Sequence, residues 1–134
     1  MAEGSTLEVA VVSAERLLWQ GEAKSVVAKT SEGEIGILPG HEPVLALLLE
    51  SPLRIEESDG NKMMVAVHGG FFSVDSNKVN VIAEVAELAE DIDLERAQTA
   101  LSRAQAAGDE TEDPSALRRA ETRITVAGTA KGLS

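Results

Sequence analysis

Residues 32–43, EGEIGILPGHEP, decide how the sequence is interpreted. Glycine admits positive φ, whereas proline fixes φ and removes a hydrogen-bond donor, so this mixture of the two specifies a narrow backbone path. The apolar run 35–38 predicts a strand, and Pro39-Gly40 predicts a tight, rigid turn that leads into a polar loop at His41 and Glu42. Taken alone, these residues fit a simple sheet corner as well as a binding loop.

From residue 7 to about residue 82 the apolar residues recur with a period near two, as at Leu7, Val9 and Val11. Turn signals interrupt this pattern every 8–12 residues, and Asp59-Gly60 predicts a type I′ hairpin turn. Seven or more short strands at this spacing are typical of an antiparallel sandwich or a flattened barrel.

Beyond about Glu84 the apolar period becomes helical. Asp93 is placed as the N-cap of a first helix and Gly108 as the residue that ends it, while Asp113-Pro114 opens a second helix. The two predicted apolar stripes are Leu94, Ala97, Leu101 and Ala104, then Leu117, Ala120, Ile124 and Ala127. We expect an antiparallel hairpin with a small interface, and therefore lower hydrogen-exchange protection in the helices than in the strands.

Composition excludes several classes of protein. The 134 residues carry a net charge of −11 with a pI near 4.5, which argues against binding to nucleic acid or anionic lipid. The chain has no cysteine, which excludes disulfides, thiolate metal sites and cysteine nucleophiles. It shows neither a signal peptide nor an apolar run long enough to span a membrane, so we expect a soluble protein without direct membrane insertion.

Candidate chemistry is sparse. The two histidines, His41 and His68, lack the spacing of a metal site, and each is interpreted as a turn or strand-end residue. No nucleophile elbow, phosphate loop or dinucleotide fingerprint is present, so we expect neither catalysis nor a metal. Three arginines and one aspartate lie toward the same flank of the two predicted helices: Asp93, Arg96, Arg119 and Arg123. Such arginines are either ordinary surface residues or a set that can fork onto phosphate oxygens.

The ordered motifs resemble those of the epsilon subunits of F-type ATP synthases over about residues 5–130. The similarity rests on the 31–43 turn (SEGEIGILPGHEP), on Val9 to Ser13 with Glu15, on His68-Gly69-Gly70-Phe71, on 79–84, and on the IDLERA motif at 92–97. The resemblance implies a β-sandwich of about ten strands in residues 1–88 and a helical hairpin in residues 89–134. It further implies a non-catalytic rotor subunit of a proton-translocating synthase.

The resemblance also implies partners and sites. The sandwich would bind the gamma subunit and the c-ring loops through Glu34, Gly40, His41 and Glu42. The hairpin would either fold against the sandwich or extend into the alpha/beta catalytic hexamer and inhibit hydrolysis. In members that bind ATP, with or without magnesium, the folded hairpin holds the nucleotide. The matching positions here are Glu87, Asp93, Arg96, Arg119 and Arg123.

One departure concerns charge. Residues 91–134 carry 8 acidic and 6 basic side chains, a net charge of −2, whereas inhibitory members have basic helices, which argues against strong inhibition.

The expected location is the cytoplasmic face of a bacterial plasma membrane, as a peripheral subunit. The alternative is a stand-alone ligand-binding β-sandwich, although two Phe, one Trp and no Tyr give little material for an aromatic sugar platform.

Overall fold

A computed structural model describes residues 5–130, so the outer ends of the two predicted units, 1–4 and 131–134, lie outside the described residues. Seven strands come first, and two α-helices follow, each preceded by a short 3-10 helix. The elements are β1 Leu7–Ser13, β2 Leu17–Thr30, β3 Gly33–Ile37, β4 Val44–Leu47, β5 Ser51–Glu57, β6 Lys62–Asp75, β7 Lys78–Leu88, a 3-10 turn Ala89–Asp91, α1 Leu94–Ala107, a 3-10 turn Gly108–Glu110 and α2 Ala116–Ala130. The predicted β-sandwich with two C-terminal helices is confirmed.

The sheet closes on itself. The hydrogen-bonded order β1-β7-β6-β5-β2 returns to β1 through a β1–β2 pairing, while β3 adds to β2 and β4 adds to β6. One expectation is wrong, because β1 and β7 pair in parallel rather than antiparallel. Four antiparallel steps around a ring of five strands bring the last strand parallel to the first, so an odd ring contains one parallel pair.

Two long strands replace several of the roughly ten strands that the resemblance implied. β2 and β6 have 14 residues each, and each serves two sets of neighbours along its length. In β6 the inward face changes from Val65 and Val67 to Phe72 and Val74 across Gly69-Gly70, where φ is 78° and 119°. A Cβ on Gly70 would lie 2.2 Å from the Ile82 carbonyl oxygen, so the close approach of β7 requires glycine there.

The turn with two positive-φ central residues lies at a different place from the one that the sequence predicts. The predicted type I′ turn at Asp59-Gly60 is wrong, since only Gly60 has positive φ. The turn in which both central residues have positive φ, at 52° and 63°, is Ser76-Asn77 between β6 and β7. The predicted Pro39-Gly40 turn is confirmed: Gly40 has φ of 89°, and the His41 amide donates to the Leu38 carbonyl oxygen at 3.1 Å.

The core belongs to the strands. Its buried residues come from β1, β2, β3, β5, β6, β7 and the loop before β5, and the largest is Phe72. β4 contributes only partly buried residues that pack against this cluster. Within residues 5–130, the buried apolar residues of the helices, Ala97, Ala120, Val126 and Ala127, lie outside that cluster. α2 packs on β5 and β6, and α1 packs on α2. The hairpin is therefore a separate layer whose interface consists mainly of small side chains.

The helix ends follow the sequence more closely than the helix faces do. The Asp93 side chain accepts from the Arg96 amide at 3.1 Å, and Gly108 ends α1 with φ of 53°. In α2, Ala120 and Ala127 are buried as predicted, but Leu117 is 37% exposed. Thr122 and Val126 are buried instead, because α2 contacts both α1 and the sandwich and so needs two covered faces. No helix within the described residues is long and apolar enough to cross a membrane.

Candidate functional site

A cleft of about 290 Å³ opens between α1, α2 and the end of β7. Four of the five predicted nucleotide-binding residues line it, namely Glu87, Asp93, Arg96 and Arg123. β7 supplies Glu87, α2 supplies Arg123, the N-cap of α1 supplies Asp93 and its first turn supplies Arg96. The two helices and the sandwich must therefore be packed together for the cleft to exist.

Glu87 is the most heavily bonded residue of the cleft. Its Oε1 accepts from His68 Nε2 at 2.9 Å and from Arg123 Nε at 2.7 Å. The hydrogen bond from His68 lowers the pKa of Glu87, burial opposes that shift, and Arg123 lowers it further. Glu87 is therefore an ionised acceptor that joins the sandwich to α2.

Asp93 and Arg96 both line the cleft, and they differ in the contacts that their side chains already make. One Asp93 oxygen caps α1, so only part of its carboxylate is available to a ligand. The Arg96 side chain is exposed beside it. An adjoining cavity of about 560 Å³ shares Asp93, Arg96 and Ala100 with the cleft and adds Arg103. The two cavities together offer a path along α1 with three guanidinium groups: Arg96, Arg103 and Arg123.

Arg119 does not line the cleft. Both of its terminal nitrogens bind the Asp113 carboxylate, which lowers the pKa of Asp113 and raises that of Arg119. This pair lies at the start of α2, where Asp113 also accepts from the Ser115 amide at 3.3 Å. The structure therefore gives Arg119 a bond within the hairpin rather than a place beside Glu87.

The second predicted set lies on β3, which carries Glu34, and on the loop between β3 and β4, which carries Gly40, His41 and Glu42. The Gly40 amide donates to Asn77 Oδ1 at 2.7 Å, and His41 Nδ1–H donates to the Glu42 carbonyl oxygen at 2.7 Å. The first bond ties the Pro39-Gly40 turn to the turn between β6 and β7, and the second lies within the loop. Glu34 is held separately, since its carboxylate pairs with Arg54 at 2.7 Å across β2.

An apolar patch covers part of the outer surface of the sandwich. Leu47, Phe71 and Ile82 are cross-strand neighbours on β4, β6 and β7, and Leu45 lies two residues from Leu47 on the same face. Their exposed fractions are 53%, 52%, 56% and 74%. A contiguous group of exposed large apolar side chains marks a binding surface more often than a single one does.

Sequence reasoning missed His68, Glu50 and Arg103. Arg103 follows Arg96 by seven residues, and that spacing places both on one helical face. His68 was interpreted as a turn or strand-end residue, yet it lies within β6 with its side chain only 4% exposed. The period of two in β6 places Met64, Ala66 and His68 on the face that α2 covers, and that signal was available in the sequence.

Comparison with known proteins agrees with this architecture. The profile of the ATP synthase delta/epsilon chain β-sandwich domain matches residues 6–89. The epsilon chain of Streptomyces avermitilis is 49% identical over 118 residues, which are 88% of this chain and 92% of that one. The epsilon chain of Thermobifida fusca is 53% identical over 108 residues, covering 78% and 79% respectively.

Solved structures give the same result for the fold. A chain in the Euglena gracilis mitochondrial ATP synthase structure, which includes OSCP, F1 and the c-ring, matches with a TM-score of 0.71 and 25% identity, covering 95% of this chain and 80% of that one. A chain in the Tetrahymena thermophila central stalk and c-ring structure has a TM-score of 0.58 at 14% identity, covering 99% and 100%. This chain therefore belongs to the ATP synthase epsilon family, the non-catalytic epsilon subunits of the F-type synthase.

Proposed function

We propose that the sandwich, residues 1–88, couples the gamma subunit to the c-ring, and that the hairpin, residues 89–134, regulates ATP hydrolysis. The observation that carries the coupling role is the exposed apolar patch of Leu45, Leu47, Phe71 and Ile82. Four large apolar side chains on adjacent strands form a contact area suited to a partner rather than to solvent.

The loop at Gly40, His41 and Glu42 would contact the c-ring loops together with Glu34. The Gly40–Asn77 bond and the fixed φ of Pro39 restrict the movement of this loop, and a stiff contact transmits torque with little loss. Glu34 would present its carboxylate beside the Arg54 guanidinium, so a polar or basic ring loop would meet a preformed ion pair.

Recombinant gamma subunit tests the coupling role. Phe71→Asp places a charge at the centre of the apolar patch and is expected to abolish copurification with gamma. Leu117→Asp is the matched control, because Leu117 is an exposed apolar residue on α2 that is not a member of the patch. Equal recovery of gamma with both variants would remove the patch from the interface.

The regulatory role rests on the separateness of the hairpin. Its buried residues do not join the strand core, so the helices can leave without opening the sandwich. Extended helices would reach the alpha/beta hexamer and slow hydrolysis, with an effect limited by the net charge of −2. Truncation after Glu90 in the assembled complex is expected to raise ATPase activity; an unchanged rate would show that the helices do not inhibit.

ATP is the proposed ligand of the folded hairpin. Asp93 and Glu87 would accept hydrogen bonds from the adenine or ribose, while Arg96, Arg123 and the adjoining Arg103 would bind the phosphates. A ligand that binds only the folded hairpin stabilises it in proportion to the logarithm of ligand concentration. Because Arg119 is bound to Asp113, its part in this site requires that pair to break.

Isothermal titration of the full chain with MgATP tests this site. We expect saturable heat at or below millimolar nucleotide and weaker binding by Arg123→Ala. Absence of heat up to millimolar MgATP would eliminate the site, and an unchanged affinity in Arg123→Ala would remove that residue from it.

The complex would lie at the cytoplasmic face of the bacterial plasma membrane, with this chain as a peripheral subunit.

A further inference from the structure

His68 lies at the centre of a buried polar cluster that joins the sandwich to α2. Its Nε2 is 2.9 Å from Glu87 Oε1, and its Nδ1 is 3.5 Å from Glu50 Oε2. Arg123 on α2 donates to the same Glu87 oxygen at 2.7 Å. We call Glu50, His68, Glu87 and Arg123 the latch cluster.

Strand register explains why these side chains meet. Ala66 pairs with Glu87 and His68 pairs with Val85, so the side chains of Ala66, His68 and Glu87 share the outer face. Ser51 pairs with Val67, which places the preceding Glu50 beside His68 on that same face. Ala66 is fully buried there because α2 lies across β6. The latch cluster therefore lies at the interface between the sandwich and the hairpin.

Two atoms of the latch cluster have no hydrogen-bond partner. Among the described residues, Glu50 Oε2 and His68 Nδ1 are the buried side-chain polar atoms left unsatisfied, and they face each other. A neutral imidazole carries one N–H, and the contact with Glu87 uses it. The His68 Nδ1 lone pair then faces a carboxylate oxygen, so two acceptors oppose each other.

The other neutral tautomer gives no better result. A proton on Nδ1 would serve Glu50, but the Nε2 lone pair would then face Glu87 Oε1 at 2.9 Å. Only the imidazolium, with two N–H groups, satisfies both carboxylates. When the hairpin is away, water supplies the missing donors and the neutral ring carries no such penalty.

We propose that docking of the hairpin on the sandwich takes up one proton at His68. Docking is then stronger on the acidic side of neutrality than on the alkaline side, because histidine is the side chain that ordinarily changes charge between about pH 5 and pH 8. The inference rests on the proposed mobility of the hairpin and is independent of nucleotide binding.

The surrounding charges favour this proton. β7 contributes Glu87, and also Glu84, whose carboxylate lies about 3.4 Å from where a Gly69 Cβ would be. The loop before β5 contributes Glu50. α2 contributes Arg123, which binds Glu87. It also carries Arg119, which is bound to Asp113 and whose pKa is raised by that bond and, to a smaller extent, by the charge of Glu50. With His68 neutral, the two carboxylates of Glu50 and Glu87 share one cation, Arg123, which is bound to Glu87. A proton on His68 supplies the positive charge that balances Glu50.

Hydrogen exchange of the full chain without nucleotide, at about pH 6 and about pH 8, tests the proposal. The slowest amides of β5 and β7 serve as the internal reference for global unfolding, and rates are corrected for intrinsic exchange. We expect the opening constant of α2 to rise roughly tenfold at the higher pH, as for one buried acceptor that lacks a donor.

Glu50→Gln is the most informative variant. Its amide N–H can donate to the neutral Nδ1, so docking should lose its pH dependence and be as tight at pH 8 as the wild type is at pH 6. His68→Gln should also remove the response, whereas His41→Gln, on the exposed loop, should keep it. A response that survives in both Glu50→Gln and His68→Gln would overturn the proposal.

Two further outcomes are distinguishable. If α2 opens separately from the strands but equally at both pH values, the proton linkage is wrong and the mobile hairpin stands. If α2 exchanges only by global unfolding, the mobile hairpin is wrong, and this inference falls with it.

Discussion

Replacing Arg123 by methionine should loosen the hairpin from the sandwich. Methionine keeps most of the aliphatic length and removes the guanidinium that donates to Glu87 at 2.7 Å. Glu87 would then lie half-buried with His68 as its remaining partner. The substitution acts at the docking interface, since β7 carries the acceptor and α2 carries the donor.

The expected size follows from the burial of this pair. A hydrogen bond to a charged group contributes about 1.5–3 kcal/mol to stability. The side chains of Arg123 and Glu87 are 31% and 26% exposed, which favours the lower end of that range. We therefore expect the docked hairpin to lose about 1.5 kcal/mol, which is roughly a tenfold larger opening constant.

Amide hydrogen exchange of α1 and α2 measures this opening constant directly. Arg118→Met is the matched control, because Arg118 is an exposed arginine on the same helix and is not in the latch cluster. The control should leave α2 exchange unchanged, and neither variant should alter the exchange of β5. Opening constants within twofold of the wild type in Arg123→Met would refute the assignment of this ion pair to the latch.

Three further predictions concern Glu87, Gly70 and Asp93. The pKa of Glu87 is lowered from its ordinary 4.5, so the stabilisation that Glu87 gives to the docked hairpin is present above that value and is lost as pH falls through the lowered pKa. Glu87→Gln should remove this loss at acid pH, measured by the helical circular dichroism signal. Gly70→Ala should lower the free energy of unfolding by more than about 3 kcal/mol, measured by urea denaturation with Trp19 fluorescence. Gly36→Ala is the control, because a Cβ there meets nothing within 4 Å, and it should change the free energy of unfolding by less than about 1 kcal/mol. Asp93→Ala removes the cap of α1 and should speed exchange of its first-turn amides by an amount equivalent to about 1 kcal/mol.

Local backbone chemistry was readable from the sequence. Pro39-Gly40, the Asp93 cap and the Gly108 terminator depend on one or two residues and their immediate neighbours, and all three occur as predicted. The period of two identified the inward residues of β1 and β7 for the same reason. What such patterns cannot specify is which strand lies beside which, so the parallel β1–β7 pair was missed.

Side-chain partners across elements were the hardest part of the site to predict. Helical spacing placed Arg119 and Arg123 on one flank, but it could not reveal that Asp113 binds the first while Glu87 binds the second. Thr122 and Val126 lie outside the apolar stripe predicted for α2, yet contact with a second layer buries both. His68 was misread because its role depends on Glu50 and Glu87, which are 18 and 19 residues away.

We propose above that the sandwich carries a helical hairpin which can open on its own. Native-state hydrogen exchange of the wild-type chain in increasing, sub-denaturing urea tests it most directly. We predict that α1 and α2 exchange through an opening with a smaller free energy and a weaker urea dependence than the global unfolding that exposes β5, β6 and β7. A single free energy and a single urea dependence shared by helices and strands would show that the hairpin does not open separately from the sandwich.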